Sequence, residues 1–406
     1  MRTKTFFALA ILLSTTVACN LKSLPVQGSG TPASLTSQST PQLRAATNAP
    51  ALTPPNLPAV TSPVLIRIDF LDANNGWGVA TNNSGYFLRT VDGGTTWLNA
   101  TPPGVSGIGY STGFFALNVN TAWVLVPNAD YFTGTLYRTS DGGVTWTSSV
   151  APFGGGFIQF LNAKTGRILA DRGAGAGSQS VEMFQTADGG DTWLSVFNND
   201  PTRPDSSNSL PLGGIKNGMT FRDADNGWVT GTRPVDGDVY LFVTHDGGVS
   251  WAQQNLNLPA MLSNYQFMPQ APLFFGQEGI LPLILDIPGG TTERTFYVTH
   301  DGGATWIGDP TDPNKVVLTG LYAFADALHG WSWDGGNNPY GTVNGAQSWG
   351  GTGATLDLSG RLAQLMFVPG SSGQFTGWAL TSVNDAGLSQ IYRSTDGGLT
   401  WNILNP

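Results

Sequence analysis

The chain has 406 residues, of which only 11% are charged, and it carries a formal net charge of −9 with 54 glycines and 13 tryptophans. Such a surface repels phosphate backbones at long range, and five lysines are too few for a polybasic membrane-binding face, so nucleic acid and a general membrane surface are excluded as expected partners. The single cysteine, Cys19, excludes an intramolecular disulfide and any thiolate metal cluster; no cofactor and no metal are expected.

Taken in chain order, residues 1–18 read as an export signal. Arg2 and Lys4 form a short positive region, and the apolar run from Phe6 to Leu13 is too short to span a bilayer. The run ends in Thr16-Val17-Ala18-Cys19, which resembles a lipobox, with Cys19 as the residue that would carry the lipid. The expected location is the outer face of a bacterial membrane, or the medium if Cys19 is not lipidated. Residues 19–62 are rich in Pro, Ser, Thr, Ala and Gln, almost without aromatics, and read as a disordered tether.

Residues 63–406 repeat one pattern. TVDGGTTW (90–97) is followed by TSDGGVTW, TADGGDTW, THDGGVSW, THDGGATW, the degraded TVNGAQSW and finally STDGGLTW. The central residues Asp92, Asp141, Asp188, Asp246, Asp301, Asn344 and Asp396 recur every 43 to 58 residues, the length of one four-stranded blade. A second motif precedes each box, clearest in FLDANNGW (70–77), FRDADNGW (221–228) and FADALHGW (324–331). The predicted order within each repeat is therefore an apolar inner strand A, a turn, strand B, an alternating strand C such as YFLRT or TLYRT, the DGG turn, and strand D beginning at the tryptophan. The fold class is all-β, a single seven-bladed β-propeller of four-stranded antiparallel blades, expected as a monomer. The box aspartates are read as turn formers that accept from turn amides, and Trp97, Trp146, Trp193, Trp251, Trp306, Trp349 and Trp401 as packing residues.

The box resembles the Asp-box, or BNR, motif of bacterial sialidases, sortilin-type receptors and some glycoside hydrolases. Paired with the upstream F-x-D-x-x-N-G-W pattern, it is most similar to the photosystem II stability/assembly factor group. That resemblance implies a seven-bladed propeller, in some members a lipoprotein, and a protein-binding role through an arginine-bearing face. This chain departs from the last feature, since its domain is acidic and its arginines are scattered.

The resemblance to sialidases implies a Tyr–Glu nucleophile pair, an aspartate acid/base and three arginines. Of the three glutamates, Glu182 falls on a C strand, Glu278 in an A–B turn and only Glu293 in a B–C connection. Asp130, Asp205 and Asp286 lie in or beside connections on the face opposite the boxes, but no spacing marks two of them as a glycosidase pair. His245, His300 and His329 fall in separate turns. No catalytic residue is assigned.

Binding is expected instead at the face built by the B–C and D–A connections, two of which are long: 198–218 and 255–273. Candidate contact residues are Arg203, Asp205, Tyr265, Phe267, Glu293 and Arg294. The second connection also brings Met261, Leu262 and Met268; an equally open alternative is that it folds back over its own propeller. The expected function is a non-catalytic cell-envelope scaffold that binds a protein or a glycan. The alternatives are a secreted glycoside hydrolase and a photosystem II assembly factor-like protein.

Overall fold

Inner strands such as GWGVA (76–80) and GWVTG (227–231) are buried along their whole length, so each sheet has two buried faces, which can be satisfied only by packing against a sheet on either side. The computed structural model describes residues 56–287, 291–308, 317–337, 339–354, 356–358, 360–370 and 373–404. Cys19, the signal region and the tether up to residue 55 lie outside the described residues. Seven antiparallel sheets follow one another along the chain, as expected for a seven-bladed propeller. In blade one the strands are Leu65–Phe70, Gly76–Ala80, Tyr86–Thr90 and Trp97–Asn99, in the order A-B-C-D. Ala260–Leu262 forms a single 3-10 turn.

Two sheets carry a fifth strand. Ala59–Val60 pairs with Trp97–Leu98 at the outer edge of blade one, so that blade begins ahead of residue 63. In blade five the inner strand is split into Gln266–Pro269 and Leu273–Phe275, both paired with Glu278–Ile287. The end of the 255–273 connection is therefore strand and not loop.

The buried apolar side chains gather into seven clusters, each spanning two neighbouring blades. One contact recurs at the seams. The tryptophan that opens strand B lies flat on the phenylalanine that ends strand A of the next blade: Trp123 on Phe160 at 3.6 Å, Trp331 on Phe367 at 3.8 Å and Trp378 on Phe70 at 3.7 Å. Each indole N–H then donates to a glycine carbonyl of the following box: Gly189, Gly397 and Gly93. Trp378 belongs to the last blade and Phe70 to the first, so this contact also closes the ring. Blades seven and one are further joined by Gln364, whose side chain accepts from Ile68 N–H at 2.9 Å and donates to Ile68 C=O at 2.6 Å.

Candidate functional site

The boxes define one end of the molecule. In each blade the first box glycine donates its N–H to a carbonyl at the A–B turn, from Gly93 to Asn74 through Gly397 to Phe375, so A–B and C–D turns share a face. Within the box the aspartate is fully occupied by its own turn. Asp301 accepts from Thr305 N–H at 2.9 Å, from the Thr305 hydroxyl at 2.6 Å and from the Thr299 hydroxyl at 2.7 Å. The Thr305 hydroxyl and amide hold its carboxyl down at about 2. Asp188 is depressed in the same way by Thr192. The same pattern recurs at Asp92, Asp141, Asp246 and Asp396, and Asn344 reproduces it by accepting from Ser348 N–H and donating to the Ser348 hydroxyl. These residues lie in separate blades and form turns. The box tryptophans pack inward, with Trp146, Trp193 and Trp401 donating to the second box glycine. Trp306 donates to Gln254, while Trp97, Trp251 and Trp349 are buried.

The histidines are equally local. His245 contacts Asn226, His300 contacts Glu278 and His329 contacts Asp326, each across the turns of its own blade. Among the described residues, no group of three His, Cys, Asp or Glu is placed to hold a metal ion.

Many of the scattered arginines are built into the seams. Arg67 donates to Thr112 C=O and lies over Phe114. Arg89, Arg138 and Arg393 each lie over the strand-B tryptophan of their own blade, and Arg393 donates across the closing seam to Ala73 C=O. Arg167 stands where other blades have that tryptophan. It lies over Phe221 at 4.5 Å and donates to Gly247 and Ala224 carbonyls. Burial lowers its pKa, as it does for Arg67 and Arg89, both drawn to about 10.

The opposite end carries the B–C and D–A connections, and the sequence candidates there separate into buried and exposed groups. Arg203 bridges Glu182 at 2.8 Å and Asp205 at 2.8 Å. Glu182 also receives Arg172 at 2.9 Å and the Ser195 hydroxyl at 2.6 Å. Burial works to raise the Glu182 carboxyl, but Ser195, Arg203 and Arg172 together outweigh it and hold the group below the ordinary range. Arg203 and Asp205 thus staple the 198–218 connection to blade three.

Phe267 is only 1% exposed, and Leu262 and Tyr265 pack into the same cluster between blades four and five. The reading of Phe267 as a partner-facing anchor is corrected: an inner strand buries it, and its connection folds back on the propeller. Glu293 and Arg294 begin strand C of blade five, paired with Leu285 and Ile284, and Arg294 N–H donates to Leu318 C=O. The Arg294 side chain is half-buried, which lowers its pKa. Asp286 ends strand B beside Thr292, far along the chain from Asp130 and Asp205.

Two aromatic residues that sequence reasoning passed over stand exposed side by side on this face. Tyr131 and Phe132, consecutive in the B–C connection of blade two, are 56% and 51% exposed. The signal was in Asn128-Ala-Asp-Tyr-Phe-Thr-Gly134, where two aromatics stand among turn formers and no strand alternation absorbs them.

No protein-family model matches the chain, and no curated protein matches it in sequence. Among solved structures it is similar to YCF48 bound to D1 peptide, at 17% identity over 88% of this chain and 98% of that chain, with a TM-score of 0.50. It is also similar to YCF48 from Cyanidioschyzon merolae, at 18% identity over 82% and 96% of the two chains, with a TM-score of 0.46. The GH74 xyloglucanase from Xanthomonas campestris matches at 14% identity over 86% of this chain and 46% of that one, with a TM-score of 0.42. At these identities the likeness establishes the propeller fold and nothing narrower.

Proposed function

We propose that the chain is a non-catalytic Asp-box scaffold of the cell envelope that engages a protein segment through its loop-bearing face. One observation carries this reading. The box aspartates, Glu182 and many of the arginines are committed to turns, staples and seams, whereas large aromatic side chains stand exposed on the loop-bearing face. The complex of YCF48 with D1 peptide supports it at the level of architecture, as a propeller of this fold with a peptide bound. Cys19 would tether the propeller to the membrane through its lipid, with the following segment as spacer.

The test places a photo-crosslinking amino acid at Leu388, in the B–C connection of blade seven, and at Leu399, in the box of the same blade; both side chains are exposed. In intact cells, Leu388 is expected to yield a discrete protein adduct and Leu399 none. Adducts from Leu399 alone, or cleavage of oligosaccharides by the purified chain, would overturn the proposal. Incorporation of labelled palmitate that disappears in Cys19→Ala tests the anchor.

A further inference from the structure

The connection that displays Tyr131 and Phe132 is fixed, not floppy. The Asp130 carboxylate accepts from Phe132 N–H at 2.9 Å, from Thr133 N–H at 3.0 Å and from the Thr133 hydroxyl. Tyr131 N–H donates to Asn128 C=O at 3.0 Å. From blade three, Arg172 donates to Phe132 C=O at 3.0 Å and to Pro152 C=O at 2.7 Å. Yet Tyr131 has φ of +59°, a region that bulky side chains rarely adopt. The surroundings hold this residue in a disfavoured backbone conformation while its ring, more than half exposed, adds little to the core. Rigidly presented aromatics lose little entropy when a partner covers them, which makes them effective anchors.

The charges around this step select the partner. Arg172 and Arg203 are already answered by Glu182 and Asp205. Asp130, in contrast, enters no ion pair among the described residues, and the whole chain carries −9. An acidic segment is repelled by this field and a neutral one gains nothing from it. A lysine or arginine can lay its alkyl stem against Phe132 and its cation over a ring face, close to Asp130.

We infer that Tyr131 and Phe132 bind an extended segment of a partner protein in which lysine or arginine side chains alternate with apolar ones. This rests on the reading of the loop-bearing face as the partner-binding face and names the chemistry that face recognises.

The full chain is titrated with a fluorescein-labelled peptide of alternating Lys and Leu, about twelve residues long, and with its Glu/Leu counterpart. The Lys/Leu peptide is expected to bind, to weaken with added salt, and to bind about tenfold less tightly to Phe132→Ser. Val150→Ser, which alters a side chain 83% exposed on the outer strand of the same blade, should leave binding unchanged. Tyr131→Gly relieves the disfavoured φ, so it should weaken binding while the melting temperature holds or rises by about 1 °C. A merely structural aromatic would instead lower the melting temperature. Equal binding by the variants, preference for the Glu/Leu peptide, or retention by soluble xyloglucan that these variants abolish would each overturn the inference. A Leu388 adduct in cells together with any of those results would overturn it alone and leave the scaffold reading standing.

Discussion

At the seam between blades seven and one, Trp378 lies flat on Phe70 with an interplanar angle of 6°, and its indole donates to Gly93. At the seam between blades three and four, the same place is taken by Arg167 over Phe221, with Gly247 and Ala224 as acceptors. The second seam also holds Lys216, fully buried, whose ammonium donates to the carbonyls of Gln179, Pro211, Leu212 and Gly214. Burial draws that lysine down to about 8. The position therefore asks for a flat group that covers a phenylalanine and carries an N–H at its edge, and both an indole and a guanidinium meet the demand. What differs is the covering group: the aromatic seam lays a neutral indole on its phenylalanine, while the cationic seam aims backbone carbonyls at the charges of Arg167 and Lys216.

The largest effect should come from emptying the aromatic seam. Among the described residues no strand crosses from blade seven to blade one, so side chains hold the ring shut. Trp378→Ala removes a fully buried indole and is expected to destabilise the fold by about 3 to 5 kcal/mol, read from urea unfolding. Trp331→Ala opens an equivalent stack that does not close the ring. Hydrogen exchange should therefore speed up in blades one and seven together for Trp378→Ala, and in blades six and seven for Trp331→Ala.

Exchanging the two chemistries comes next. Arg167→Leu keeps apolar cover on Phe221 but leaves the Ala224 carbonyl without the guanidinium, and should destabilise by about 2 kcal/mol. Arg167→Trp should lie within about 1 kcal/mol of the parent, because the indole can reach Gly247 as Trp123 reaches Gly189. Equal losses in both variants would mean that this seam needs its charge and not its shape.

These seams explain why the fold was legible in the sequence and the face was not. The box recurs seven times and the upstream motif, with a phenylalanine seven residues before a tryptophan in its clearest copies, precedes it, so the blade count and the strand order could be read directly. Arg167 broke the pattern in letters but not in physics, and GRILA still read as a strand. Phe267 misled because apolar residues beside prolines look the same in a loop as in a short inner strand; only the register with Leu285 decides. Tyr131 and Phe132 fall outside every periodicity, and their exposure depends on a turn closed by Asp130 and on Arg172 from another blade. Contacts of that kind have no signature in local sequence.

The boxes offer a smaller version of the same contrast. The second box glycine of blade three, Gly190, has φ of +98° and donates to the Thr186 hydroxyl at 2.9 Å. Blade six has Ala346 there at φ of +66°, and its bond to the Thr342 hydroxyl stretches to 3.2 Å. Gly190→Ala should destabilise by about 1 to 2 kcal/mol, since the new Cβ is strained and presses on Leu136. Ala346→Gly should stabilise by about 0.5 kcal/mol, a gain that thermal unfolding can resolve if the degraded box is a weak point.

Replacing Asp301 by the asparagine that blade six already uses should change least at neutral pH, by under about 0.5 kcal/mol, because Asn344 satisfies the same turn. The difference appears in acid. The folded Asp301 titrates at about 2, held down by Thr305, against an unfolded value of about 3.9. Between those values the unfolded chain binds the proton and the folded chain does not. Protonation therefore favours unfolding, and the stability contributed by Asp301 is present above about pH 4 and lost as pH falls through 2. Asp301→Asn has no such group, so its urea midpoint should fall less steeply than the parent's between pH 5 and about 2, and the two curves should converge or cross. Parallel curves would mean that the carboxylate is not held by its turn, and the same measurement on Asp188→Asn would show whether a second blade behaves alike.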